Sequence, residues 1–204
     1  MGEAISSGWL TRDDAFEIAP ARLSDIPQLA ALAKHLSITE QDWRRVIHSS
    51  SAVAAKTGSA LGLYVADHYA LAYDGERLRE LQAARNVLCN RFKLSEHTVA
   101  FGADCVVAPA WRDTDLRSQM LRSLLRMIGF RRRHLFRFCQ KNDPAELEAL
   151  NAEGWRCFQE EDDYCYFVLD VAKALRGLST RLALKFPPRQ VPSASQAAIQ
   201  NKAV

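Results

Sequence analysis

One stretch of the chain has the residue types to hold an anion, and it lies where an apolar strand gives way to a helix. Residues 107–121 begin with Val107 and place Pro109 and Arg112 in a short turn. They continue into a segment whose leucines and other apolar residues recur at helical spacing. A helix that begins just beyond a strand presents unpaired N–H groups and the positive end of its dipole. Thirty residues after Arg112 comes Asn142, followed by a second short helix. This spacing predicts an anion site at the start of the first helix.

Candidates for proton transfer lie on the strands around this turn. Asp104 alternates with Cys105 along the central strand and is a candidate general base that faces a cleft. His68 and His97 are further candidates, because histidine titrates near neutral pH. Tyr164 and Tyr166, on the last strand, are candidate proton donors. We take Asp104 and Tyr164 as the predicted catalytic pair. The acidic run 160–163 is predicted to be a solvated turn, or a loop that attracts a cationic ligand.

The elements that position these residues follow from hydrophobic periodicity. Apolar runs separated by turn residues predict strands, and apolar residues at i, i+3 and i+4 predict helices. Asp25 and Thr39 are predicted N-caps, and Gly102 a bulge. Predicted strands cover 16–20, 51–56, 60–66, 98–107, 134–140, 155–159 and 164–171; predicted helices cover 25–36, 39–47, 76–92, 114–128 and 143–153.

These features together resemble the GNAT family of acyl-CoA-dependent N-acyltransferases. The acyl-CoA motif of that family is similar to Val107, Pro109, Trp111 and Arg112 with the helix that follows. Its second motif is similar to the set Asn142, Ala145, Gly154 and Trp155. Residues 16–36 resemble the first strand and helix of the family, and 55–62 its second hairpin. The resemblance spans about 16–171, with 67–97 as an atypical insertion.

The resemblance implies an α/β fold, a mixed and mostly antiparallel sheet with helices on both faces. It also implies transfer of an acetyl or other acyl group from acyl-CoA to a small-molecule or peptide amine. The loop 112–117 would wrap the pyrophosphate, the strand edge at 105–107 would pair with the pantetheine arm, and Asn142 would lie beside the thioester end. The implied cofactor-binding residues are Cys105, Val106, Val107, Arg112, Asp113, Thr114, Asp115, Leu116, Arg117 and Asn142.

Two departures from the family pattern keep a second interpretation open. The loop glycines are replaced by Asp113, Asp115 and Arg117, although glycine allows close backbone approach to phosphate. Leu150 stands where many relatives have a tyrosine that protonates the leaving thiolate. The alternative is therefore a GNAT-shaped module that has lost catalysis and serves in binding or regulation.

Composition and charge set the remaining expectations. All six charged residues after Asp170 are basic, leaving 21 bases against 24 acids in the rest of the chain, which argues against a dedicated nucleic-acid domain. The odd count of 5 cysteines without a C-x-x-C pair predicts no metal site and a reducing, cytoplasmic location. The sequence contains no run of 18 apolar residues, so no membrane-spanning helix is predicted. We expect a flexible leader (1–15), the GNAT-like domain (16–171), a basic amphipathic helix (172–186), a disordered tail (187–204) and the option of a homodimer.

Overall fold

A computed structural model describes residues 16–36, 38–68, 75–112 and 114–177, and the side chains of these residues except 75–78. The predicted leader and tail lie outside the described residues, as does most of the predicted basic helix. Of that helix, 171–177 is described and is helical.

The first of two four-stranded sheets is antiparallel throughout. Its order is β1-β2-β3-β5, and register partners such as Ile18 with Ala55 and Leu63 with Val106 align its strands. Residues 52–55 of β2 and 61–66 of β3 are buried on both faces of the sheet. The bounds are β1 (Glu17–Pro20), β2 (Ala52–Thr57), β3 (Ser59–Ala66) and β5 (Ala103–Val107).

The second sheet has the order β4-β6-β8-β7 and contains one parallel pairing, between β4 and β6. The remaining pairs, β6 with β8 and β7 with β8, are antiparallel. Its strands are β4 (Val99–Phe101), β6 (His134–Gln140), β7 (Arg156–Glu160) and β8 (Tyr164–Asp170).

Gly102 separates β4 from β5 and divides the single strand predicted over 98–107 between the two sheets. Its φ of 108° lies in a region that side-chain-bearing residues rarely adopt. The predicted bulge at Gly102 is therefore the point where the chain passes from one sheet to the other. Beyond it, β5 pairs with β3 while β6 continues beside β8.

Helices cover both faces of this strand assembly. On one face α4 packs on both sheets through Leu116, Met120 and Leu124, and the apolar side of α5 joins the same core. On the other, α1 and α2 cover the first sheet and α3 covers the second. The helices are α1 (Ile26–Leu32), α2 (Glu40–His48), α3 (Gly75–Phe92), α4 (Leu116–Ile128) and α5 (Pro144–Glu153).

The predicted fold class is confirmed: the sheet arrangement is mixed and mostly antiparallel, with helices on both faces. The predicted cap at Thr39 is present, because its side chain accepts a hydrogen bond from the Asp42 amide at 3.2 Å. The predicted helix over 25–36 is shorter, with α1 followed by a 3₁₀ turn at Lys34–Leu36. Asp25 occupies the predicted N-cap position of α1, but its carboxylate makes no capping bond to that helix.

The Asp25 side chain instead joins the turn before α1 to β2. It accepts hydrogen bonds from the Arg22 amide and from Lys56, each at 2.8 Å. Burial alone would raise the pKa of Asp25, but the bonds from Lys56 and Arg22 outweigh it and lower that pKa. The resulting stabilisation is present above the ordinary aspartate range, near pH 4, and is lost as pH falls through the lowered pKa.

We expect Asp25→Asn to lower the free energy of unfolding by about 1.5–3 kcal/mol at pH 7, because a charged hydrogen-bond acceptor is lost. Urea unfolding from pH 7 to pH 2.5 would show the gap to the unmodified protein closing as Asp25 becomes protonated. Asp162→Asn, in the exposed β7–β8 turn, is the matched control and should change little. A gap that stays constant with pH would contradict this assignment.

Candidate functional site

A groove opens between β5 and β6 where the two sheets diverge. In the described residues β5 pairs only with β3, and Arg137–Gln140 of β6 pair only with β8. The edges that β5 and β6 turn towards each other are therefore not joined by a strand ladder. A cavity of about 280 Å³ lies here, lined by His35, Leu36, Asp104, Cys105, Arg137, Phe138, Cys139, Gln140, Asp143 and Glu146.

The backbone of β5 directs alternate amides into this groove. The Ala108 amide donates to the Leu61 carbonyl of β3 at 2.8 Å. Because N–H groups alternate along an extended strand, the amides of Val106 and Asp104 share that direction, and those of Cys105 and Val107 point to the open edge. The groove thus offers two backbone donors beside a cavity, which suits an extended, amide-containing ligand.

Ionised side chains cross the groove from one strand to the other. Nη2 of Arg137 on β6 lies 2.7 Å from Oδ1 of Asp104 on β5, and Nη1 lies 2.8 Å from Oε1 of Glu146 on α5. The other oxygen of Asp104 lies 3.0 Å from Nε2 of His68, whose side chain is fully buried. These contacts hold the two diverging strands together through side chains instead of a backbone ladder.

The series of ion pairs that begins at His68 and Asp104 continues to the first turn of α4. Arg117 donates to Glu146 through Nη1 at 2.6 Å and Nη2 at 2.9 Å, and to Glu153 through Nε at 2.7 Å. Glu153 also accepts from Tyr64 and from the Trp155 indole, at 3.2 and 2.9 Å. We call the six residues His68, Asp104, Arg137, Glu146, Arg117 and Glu153 the groove ion-pair chain.

Electrostatics fix the protonation of the inner half of this chain. Burial, the largest effect, favours a neutral Arg117, but the hydrogen bonds to Glu146 and the charge of Glu153 raise the pKa of Arg117. Burial and the Glu153 charge raise the pKa of Tyr64, which keeps its hydroxyl a donor. Apart from His68, the set contains three carboxylates and two guanidinium groups, which gives one excess negative charge. A cationic amine is therefore a better match for this groove than an anion.

The turn before α4, predicted to wrap a pyrophosphate, already uses several of its backbone amides. The amides of Trp111, Arg112 and Thr114 donate to the carbonyls of Ala108, Pro109 and Trp111 at 2.9, 3.4 and 3.3 Å. The Leu116 amide donates to Oγ1 of Thr114 at 3.3 Å. These donors would have to be released before they could bind phosphate.

The side chains of this turn point in different directions. Arg112 is exposed, whereas Arg117 is directed into the ion-pair chain. Oδ1 of Asp115 accepts from the Gln119 side chain at 3.0 Å, and Asp113 lies outside the described residues. In the described arrangement, Arg112 and Arg117 do not converge on one anion site.

The other predicted site residues are only partly brought together. Asp104 and Cys105 line the groove, and Val106 and Val107 continue the same strand. Burial raises the pKa of Cys105, so its thiol is a poor nucleophile. Asn142 is exposed in the turn after β6. Tyr164 lies across β6 from the groove, opposite Gln140 in the β6–β8 register, with its ring 5.4 Å from that of Phe138.

Sequence reasoning missed the residues that bridge the groove, chiefly Arg137, Glu146 and Glu153. The signal was present for Arg137, which is the only charged residue inside the otherwise apolar 135–139 segment of its strand. A charge within a buried strand requires a partner, and that requirement alone marks the position. The partners Glu146 and Glu153 occupy helical positions that look like ordinary solvated carboxylates in the sequence.

Comparison with known proteins assigns the architecture. No protein-family model matches the sequence, and no curated protein is significantly similar to it. Solved structures do match, and three of them cover 76% of this chain at TM-scores of 0.51 to 0.54. They include yncA of Salmonella typhimurium with acetyl-CoA (9% identity, 94% of that chain). Two others are an N-acetyltransferase of Staphylococcus aureus (11%, 98%) and a GNAT-family acetyltransferase of Streptococcus pneumoniae (13%, 99%).

The fold is therefore that of the GNAT acetyltransferases, as the sequence resemblance implied. Identities of 9 to 13% establish the architecture and leave the activity to be argued from the groove. Among the described residues, no helix is both long and apolar enough to cross a lipid bilayer.

We expect Glu153→Gln to lower the free energy of unfolding by about 3 kcal/mol. The change removes a buried carboxylate that pairs with Arg117 and accepts hydrogen bonds from Tyr64 and Trp155. Glu148→Gln, on the exposed side of α5, is the matched control and should stay within about 0.5 kcal/mol. Chemical denaturation of the three proteins at pH 7 measures the difference. Equal losses in both variants would show that the inner ion pairs do not stabilise the fold.

Proposed function

We propose that this protein transfers an acyl group from an acyl thioester, acetyl-CoA or a longer acyl-CoA, to an amine by direct transfer. The observation that carries the proposal is the open edge of β5, where the Cys105 and Val107 amides face a groove beside Asp104. In this fold the groove is a gap between sheets, so an extended arm can enter without breaking a strand ladder. A bound thioester supplies the electrophilic carbonyl.

The groove residues support the amine side of the reaction. A protonated amine is attracted by the net negative ion-pair chain and must lose a proton before it attacks. The Asp104 carboxylate, held by Arg137 and His68, is the proposed acceptor of that proton. The nitrogen then bonds to the carbonyl carbon, the carbon–sulfur bond breaks, and the second amine proton passes to the leaving thiolate. Tyr164, the proton donor predicted from the sequence, lies across β6 from the groove and is not needed in this step.

The groove suits the pantetheine arm of a CoA thioester better than the turn before α4 suits its diphosphate. The β5 edge fits the amide-rich arm, whereas the turn before α4 has its amides paired internally and Arg117 turned inward. We propose that diphosphate binding requires the turn at 109–114 to release these amides. The exposed Arg112 is the guanidinium best placed to meet the phosphates.

The closed turn favours a second candidate, a binding or regulatory module with the same fold and no catalysis. In that case the bidentate Arg117–Glu146 pair would lock α4 to α5 permanently. The two candidates differ in one property, which is whether CoA binds to the folded chain.

Thermal unfolding with and without CoA distinguishes the two candidates. If CoA binds, a concentration 100 times its Kd stabilises the fold by about 2.7 kcal/mol. Acetyl-CoA should then be consumed in the presence of a panel of primary amines, monitored by release of free thiol. No shift in Tm at millimolar CoA would favour the module without catalysis.

A proline substitution tests the role of the strand edge itself. We expect Val107→Pro to weaken binding of acetyl-CoA about 10-fold, because proline removes the amide that points into the groove and leaves the bonds to β3. Val107→Ala is the matched control, since it trims the same side chain and keeps the amide. Equal affinity in the two variants would contradict pairing of the donor with β5.

A further inference from the structure

Two thiols and a carboxylate meet on the β7–β8 hairpin, away from the groove. Sγ of Cys157, Sγ of Cys165 and a carboxylate oxygen of Glu160 all lie within 4.8 Å of one another. From this arrangement we infer a binding site for a thiophilic divalent cation of the Zn²⁺ class, with these three residues as its ligands. The inference is independent of the proposed acyl transfer.

A strand irregularity creates the cluster, which is why the sequence did not reveal it. Cys157 and Glu160 are three residues apart, so in a regular strand their side chains would point to opposite faces. The register shifts between Cys157 and Gln159, so that Cys157 is opposite Phe167 while Glu160 is opposite Cys165. Because Cys165 and Phe167 share a face of β8, the bulge brings all three ligands to one face.

The ligand chemistry and spacing suit a tetrahedral ion. Zinc binds cysteine sulfur at about 2.3 Å and carboxylate oxygen at about 2.0–2.2 Å, which places neighbouring ligand atoms about 3.5–3.8 Å apart. The three atoms lie within 4.8 Å of one another, so shifts of about 1 Å would bring them to this spacing. Two sulfurs with one oxygen favour Zn²⁺ over the hard cations Mg²⁺ and Ca²⁺, which bind through oxygen alone. A set of three protein ligands leaves a fourth position for water.

The surroundings permit both entry and charge balance. Cys157 and Glu160 are exposed on the edge strand, so an ion reaches them from solvent, whereas Cys165 is buried and forms the floor. Two thiolates and a carboxylate around a divalent ion leave one net negative charge. Nζ of Lys141 lies 3.3 Å from Glu160 and offsets that charge. The thiol of Cys157 lies 3.4 Å from the Gln159 carbonyl, a weak contact that metal binding would replace.

The fully reduced full-length chain, titrated with Cd²⁺ and followed by thiolate-to-cadmium charge-transfer absorption, tests the site. We expect one Cd²⁺ per chain, displaced by Zn²⁺ and not by Mg²⁺. Cys157→Ser should weaken binding by more than the 10–100-fold typical of outer-shell changes, because a direct ligand is lost. Glu160→Gln should weaken it as well.

Cys89→Ser, which changes a cysteine on α3, is the matched control and should bind as the unmodified chain does. Because Cys157 is exposed, its serine variant should fold, and near-unchanged far-ultraviolet circular dichroism would confirm this. The inference is overturned if Cd²⁺ binds only at millimolar concentration, or if Cys157→Ser and Cys89→Ser bind equally. It is also overturned if the pair acts only as a reversible disulfide, with the reduced form showing no affinity for Cd²⁺ or Zn²⁺.

Discussion

The pairing of Arg137 with Asp104 is the interaction on which the rest of this structure depends. It spans the gap between β5 and β6, which opens where the chain passes from one sheet to the other at Gly102 and no backbone ladder joins the two strands. Open strand edges and buried charges are each costly when left unsatisfied. Here the charges from two strands and two helices satisfy one another, so the divergence is held by ion pairs. Replacing one partner alone would leave a charge stranded in the groove.

In this structure one half of the candidate site is open and the other half is closed. Along β5 the backbone is available and the groove has room beside Asp104. At the start of α4 the turn is closed on its own amides, and Arg117 ties that helix to α5 through Glu146 and Glu153. A donor that uses the whole site would have to exchange internal hydrogen bonds for bonds to its phosphates. The free-energy cost of that exchange determines whether the protein is a transferase or a module that has the same fold without catalysis.

The sequence predicts the framework well because local patterns determine it. The strand alternation, the Thr39 cap and the Gly154 helix stop each follow from a few neighbouring residues, and all are present. The groove is less predictable, because its chemistry joins residues that are far apart in the chain. Arg137 signalled a buried charge, but nothing near it indicated Asp104 or Glu146 as partners. The thiol cluster was hidden for another reason, since one bulge changed the face on which Cys157 lies.

Amide protection along β5 tests the central claim most directly. Residue-resolved hydrogen–deuterium exchange, with and without saturating acetyl-CoA, reports on the Cys105 and Val107 amides separately from those of Asp104 and Val106. The account predicts that the first pair gains protection when acetyl-CoA is added, while the second pair is already protected by β3. Unchanged exchange at Cys105 and Val107 under those conditions would contradict the claim that this strand edge receives the acyl donor.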